Sequence, residues 1–77
     1  MAQVQVKLYA SLRSHVGGAP SLDVEIKPRA TVAELLEGLG VPTQQARIVF
    51  VNNRVAGLSR CLDDGDRVGV FPAIGGG

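Results

Sequence analysis

The chain holds one cysteine, Cys61, and one histidine, His15, in its 77 residues. A single cysteine cannot close an internal disulfide, and no second one completes a metal pair. With one histidine beside it, a zinc site built from this chain alone lacks its ligands. The net charge is only +1, without the clustered basic face that nucleic-acid binding needs, so no nucleic-acid partner is expected. No apolar run approaches the roughly 20 residues of a membrane span. The first residues, Met1 to Lys7, alternate polar and apolar side chains and lack the continuous apolar stretch of a signal peptide. A cytoplasmic protein with no membrane partner is expected. Most side-chain chemistry is thereby removed. What remains is a backbone group, a carboxylate or a surface.

Hydrophobic residues make up 45% of the chain and charged residues 19%, a globular balance. The length fits one small domain, 1–77, with a thin core. Val4, Val6 and Leu8 repeat with period two and predict a half-buried strand. Ser11 is placed to cap a short helical turn, with Leu12 and Val16 on one side, until Gly17-Gly18 and Pro20 break it. Leu22 to Ile26 alternates again and predicts a second strand, ended by Pro28. Thr31-Val32-Ala33-Glu34 is a capping box, and Val32, Leu35, Leu36 and Leu39 form the apolar stripe of a helix that stops at Gly40. Ile48 to Val51 is a continuous apolar run that enters a turn at Asn52-Asn53, with a short return strand over Arg54-Val55-Ala56. Asp63-Asp64-Gly65-Asp66 is a polar turn before the last strand, Arg67 to Phe71, where Pro72 ends ladder donation. Five strands and one main helix predict an α+β fold with the helix on one sheet face.

The low-complexity stretch is Gly75-Gly76-Gly77, in a flexible tail expected over 73–77. Glycine loses the most backbone entropy on ordering and offers no side chain to pack. Both properties suit a tail that threads a narrow channel. A glycine carboxylate on such a lead is unhindered, and in a partner's pocket ATP could activate it as an acyl-adenylate. Terminal glycines also occur as frayed ends, but here they follow directly from a predicted core strand.

The element order, the segment Leu62-Asp63-Asp64-Gly65-Asp66-Arg67-Val68 and the ending Phe71-Pro72-Ala73-Ile74-Gly75-Gly76-Gly77 resemble the ThiS/MoaD-type sulfur carriers, β-grasp proteins related in fold to ubiquitin. Tyr9-Ala10-Ser11-Leu12-Arg13 resembles the molybdopterin synthase small subunit in particular. The resemblance implies a β-grasp fold, a mixed sheet of about five strands with one main helix on one face. It implies that Gly77 is adenylated by an ATP-dependent adenylyltransferase related to ubiquitin-activating enzymes, with Gly76 as the penultimate glycine of the motif. A sulfur donor, a cysteine desulfurase or rhodanese, would convert Gly77 to a thiocarboxylate. The acceptor would be the molybdopterin synthase large subunit or another enzyme. The chain would bind no cofactor itself, ATP being the partner's, and would be a co-substrate rather than a catalyst. Gly75 departs from relatives with a small non-glycine residue there and lengthens the lead. The resemblance also places Tyr9, Val55 and Phe71 at partner-docking positions on the sheet face away from the helix, with Pro72 and Gly75 as further partner-binding residues. The phase agrees for two of these, since Phe71 alternates with Val68 and Val70, and Tyr9 with Leu8. The competing reading is that the aromatics finish the edge of a thin core.

Carriers for thiamine, tRNA thiolation or cysteine synthesis share the same tail chemistry. The same sequence also fits a protein modifier that forms isopeptide bonds, or a bare interaction module. Cys61 is expected to be a partly buried, inert thiol, without a neighbouring His or helix N-terminus to activate it. His15 is expected at the surface. Asp63, Asp64 and Asp66 lack the spacing of a calcium loop and are expected to form a turn. Arg47, Arg54, Arg60 and Arg67 fit either a basic rim or plain solvation. Gly17-Gly18 lacks the strand and helix context of a nucleotide site.

Overall fold

The computed structural model describes residues 2–72. The tail expected over 73–77, with Gly75, Gly76 and Gly77, lies outside the described residues. The elements are β1 (Ala2–Leu8), a 3₁₀ segment (Ala10–Val16), β2 (Ser21–Ile26), α1 (Val32–Gly38), a 3₁₀ turn (Thr43–Gln45), β3 (Ile48–Val51), β4 (Arg54–Ala56) and β5 (Arg67–Phe71). Five strands form one mixed sheet in the order β2-β1-β5-β3-β4. β5 runs parallel to β1 and antiparallel to β3 at the centre, and the outer pairs β1–β2 and β3–β4 are antiparallel.

The register explains the core. Val6 lies opposite Val68, Leu8 opposite Val70, and the same two β5 residues face Val51 and Val49 on the other side. All six sit on one sheet face, joined there by Val4, by Val32, Leu35 and Leu36 of α1, and by Leu12, Val41 and Leu62 from the connections. Full burial of each such side chain stabilises by about 1.5–3 kcal/mol. The opposite sheet face carries the odd positions of β1 and β5 and is open.

The capping box forms as expected. The Glu34 amide donates to Thr31 Oγ1 (3.2 Å), and the Thr31 amide donates back to Glu34 Oε1 (3.0 Å). These bonds, the backbone amide first and the Thr31 hydroxyl second, hold the Glu34 carboxyl below the usual carboxylate range. α1 closes at Leu39, which is its cap and only half-buried, and Gly40 turns the chain at φ 76°. The Val41 amide then donates to the Leu36 carbonyl (2.9 Å), a helix end that returns an apolar residue to the core.

Two local expectations are corrected. Ser11 does not cap the first helical turn. The Tyr9 amide still donates to the Val70 carbonyl (3.2 Å), so the chain bends one residue earlier, at Ala10 with φ 52°, and Tyr9 takes the cap position without a side-chain bond. Cys61 is exposed, not partly buried. It pairs with Thr31 in an isolated bridge, flanked by bonds from Val32 N to Arg60 O (3.0 Å) and from Leu62 N to Ala30 O (2.8 Å). Extended alternation there buries Leu62 completely and turns Cys61 outward.

Candidate functional site

β5 is the central strand, and residues 69 and 71 point to the open face because 68 and 70 point to the core. The Tyr9 and Phe71 rings stack with centroids 4.1 Å apart and planes within 7°. Phe50 meets the edge of Phe71 at 5.7 Å and 85°. Neither Tyr9 nor Phe71 belongs to the core cluster, so these rings form a separate aromatic group on the outer face. Gly69 lies alongside both rings. A Cβ there would sit 3.7 Å from the Tyr9 ring and 3.8 Å from the Phe71 ring. The glycine leaves a floor from which both rings stand up.

Val55 is opposite Phe50 in the β3–β4 hairpin and so shares its face, with 74% of its surface exposed. Ile48 is opposite Phe71 and 45% exposed. The apolar patch therefore runs from Tyr9, just past the end of β1, across β5, β3 and β4. Two of its members, Phe50 and Ile48, do not stand out in the sequence. The pairing of β3 with β5, which sets Val49 and Val51 toward the core, is what turns Phe50 and Ile48 outward. Lys7 and Arg67 border a concavity of about 390 Å³ in front of Gly69, together with Gln5 and Asn52. The patch is thus apolar at its centre with cations beside it.

The hairpin is held to the start of β5 by a polar latch. Asn52 and Asn53 adopt φ of 53° and 69°, the paired left-handed conformation of a tight hairpin turn. Asn52 Nδ2 donates to Asp66 Oδ1 (2.9 Å), and the Arg67 amide donates to Asn52 Oδ1 (2.9 Å). Asp66 Oδ2 accepts from the Asp63 amide (2.8 Å), and Asp64 Oδ1 accepts from the Gln3 amide (2.8 Å). The aspartates therefore shape the turn as expected, and Asp66 is buried in doing so. Beyond Phe71, whose carbonyl accepts from Arg47 N (2.9 Å), half-buried Pro72 has no amide to donate. The ladder stops there, beside the aromatic group.

Of the residues expected at the site, Tyr9, Val55, Phe71 and Pro72 come together at one face and one strand end. Gly75, Gly76 and Gly77 lie outside the described residues. The four arginines do not gather into one rim: Arg67 borders the concavity, whereas Arg60 lies beside the start of α1. His15 is half-exposed and bonded through Nε2 to Gln45 Oε1 (2.9 Å), tying the two 3₁₀ segments together. Among the described residues no helix is long and apolar enough to cross a membrane.

The family model described as Mut7-C ubiquitin matches residues 1–75. No curated protein matches the chain. Solved structures do. Small archaeal modifier protein 1 of Haloferax volcanii is 26% identical with a TM-score of 0.77, over 96% of this chain and 100% of its own. A Pyrococcus furiosus protein assigned as molybdopterin converting factor subunit 1 is 27% identical with a TM-score of 0.76, over 96% and 100%. A chain of the Amycolatopsis orientalis BexX/CysO complex is 31% identical with a TM-score of 0.68, over 96% and 99%. The central parallel β1–β5 pair, the single main helix and these likenesses agree: the chain belongs to the Mut7-C ubiquitin family, within the ubiquitin-like β-grasp carriers and modifiers of ThiS/MoaD type.

Proposed function

We propose that this chain is a cytoplasmic sulfur carrier whose reacting group is the carboxylate of Gly77, with Gly75 and Gly76 as its lead. An ATP-dependent adenylyltransferase related to ubiquitin-activating enzymes binds the open face through Tyr9, Val55 and Phe71. The Gly77 carboxylate attacks the α-phosphorus of ATP and releases pyrophosphate. A persulfide carried by a cysteine desulfurase or rhodanese then displaces AMP. A second thiol then attacks the enzyme-side sulfur of the resulting acyl disulfide, which breaks the S–S bond, forms a disulfide with the donor enzyme and releases the thiocarboxylate. ATP is bound by the partner, and this chain is the co-substrate.

The observation that carries the reading is the Tyr9–Phe71 stack on the open face at the end of the central strand. An aromatic anchor just before the lead lets a partner grip the rigid body while the carboxylate reaches its pocket. As final acceptor the reading favours the large subunit of molybdopterin synthase, on the likeness of the Tyr9 to Arg13 segment and of the Pyrococcus furiosus protein. The modifier named in the Haloferax volcanii relative supports a second use of the same activated carboxylate, attack by a lysine amine.

Incubation of the full chain with the activating enzyme of its own organism, ATP and a persulfide donor tests this by intact mass. An oxygen-to-sulfur increase located on Gly77 is expected. An unchanged mass, or sulfur on Cys61 instead, overturns the proposal.

A further inference from the structure

The sheet has two edges of unequal character. β4 closes one edge with three residues, whereas β2 offers six at the other. In an antiparallel ladder successive residues direct their backbone groups alternately to one side and the other. The Leu8 amide donates to the Pro20 carbonyl on the β2 side (3.2 Å), while the Gln5 and Tyr9 amides donate toward β5. With Val6 opposite Leu22 and Val4 opposite Val24, the backbone groups of Leu22, Val24 and Ile26 face β1. Those of Ser21, Asp23 and Glu25 face outward, and among the described residues none of them meets a backbone partner. Free edges are ordinarily blunted by short strands, bulges, proline or charged side chains, and of these β2 carries only the charges of Asp23 and Glu25. β2 keeps an unbroken register over all six pairs, and Pro28 comes only after it.

A second concavity, of about 300 Å³, runs between this edge and α1. Val24, Ile26, Ala30 and Leu35 line it, together with the charged Glu25, Lys27 and Glu34 and with Gly38 at the helix end. A Cβ at Gly38 would meet nothing within 4 Å. Val24 packs on the core but stays half-buried, because its outer flank lies in this groove. A strand added to the edge would send alternate side chains into the groove and the others to the opposite face, beside Asp23 and Glu25.

Those two acids select the occupant. A second copy pairing antiparallel about Val24 would set Asp23 against Glu25 twice, and like charges directly opposite one another are destabilising. An added strand with Lys or Arg at those positions gains instead. We propose that the β2 edge and its groove form a docking site for an extended basic segment of a partner protein, in which β-branched apolar residues alternate with Lys or Arg. The groove lies on the helix side of the sheet, away from Tyr9 and Phe71, while Asp23 and Glu25 share the open face with them.

Amide NMR on the full chain, titrated with a short synthetic peptide of alternating Val and Lys, tests this. The Ser21, Asp23 and Glu25 amides should shift and gain protection from exchange, while a Val–Glu peptide leaves them unmoved. The double variant D23K/E25K, at two exposed positions, should weaken the Val–Lys peptide by about tenfold and gain binding of the Val–Glu peptide. No shift over residues 21–26 at millimolar peptide, equal binding of both peptides, or a dimer through β2 would overturn the proposal.

Discussion

Glu34 shows how one side chain sets the start of an element. Its carboxylate accepts from the Thr31 amide and the Thr31 hydroxyl, and the pairing is stronger while it is ionised. Its pKa is lowered in the folded chain, so the folded state holds the proton less tightly than the unfolded one. The stability it contributes is therefore complete above the unfolded value, roughly pH 4.3, and is lost as pH falls through the folded pKa. Urea midpoints of the native chain and of Glu34→Gln, taken at neutral and at acid pH, check this. The gap between them should narrow on acidification. A gap that stays constant would show that the capping bond does not depend on the charge. Gly69 matters at the same scale, since a Cβ there would stand in contact with both the Tyr9 and the Phe71 rings.

At the scale of elements, the Asn52 latch fixes where the β3–β4 hairpin meets β5. Asn52→Gly keeps the left-handed backbone but deletes both side-chain bonds, leaving a buried Asp66 oxygen and the Arg67 amide without them. It should cost about 1–3 kcal/mol in urea unfolding. Asn53→Gly, beside it in the same turn, makes no such bonds and should stay within about 0.5 kcal/mol. Equal effects would mean that only backbone conformation matters there. The turn itself was legible, because paired asparagines between apolar runs announce one. The burial of Asp66 was not, since a run of aspartates around a glycine reads as solvated until the fold brings Asn52 to it. The same limit explains Phe50 and Ile48. A continuous apolar run does not reveal which residues face the core, and only pairing of β3 with β5 sets the phase. Cys61 was misplaced because a loop reading cannot foresee its bridge to Thr31. By contrast α1 is specified by residues within one turn of each other, and its cap and stripe could be read directly.

For the whole molecule, the aromatic face and the end of β5 belong to one rigid layer. Val68 and Val70 anchor that layer in the core from below, and Tyr9 and Phe71 present it from above. The outward facing of Tyr9 and Phe71 was legible from strand phase, whereas the reach of the patch to Phe50 and Ile48 required the sheet. The reading joins two parts, a face that is gripped and a carboxylate that reacts, and ATP–pyrophosphate exchange by the activating enzyme tests both at once. The full chain should support exchange. Removal of Gly76 and Gly77 should abolish it without weakening binding to the enzyme, and Phe71→Asp should raise the KM for the carrier at least tenfold with little change in kcat. Undiminished exchange after loss of the two glycines, or an unchanged KM with Phe71→Asp, would contradict the account.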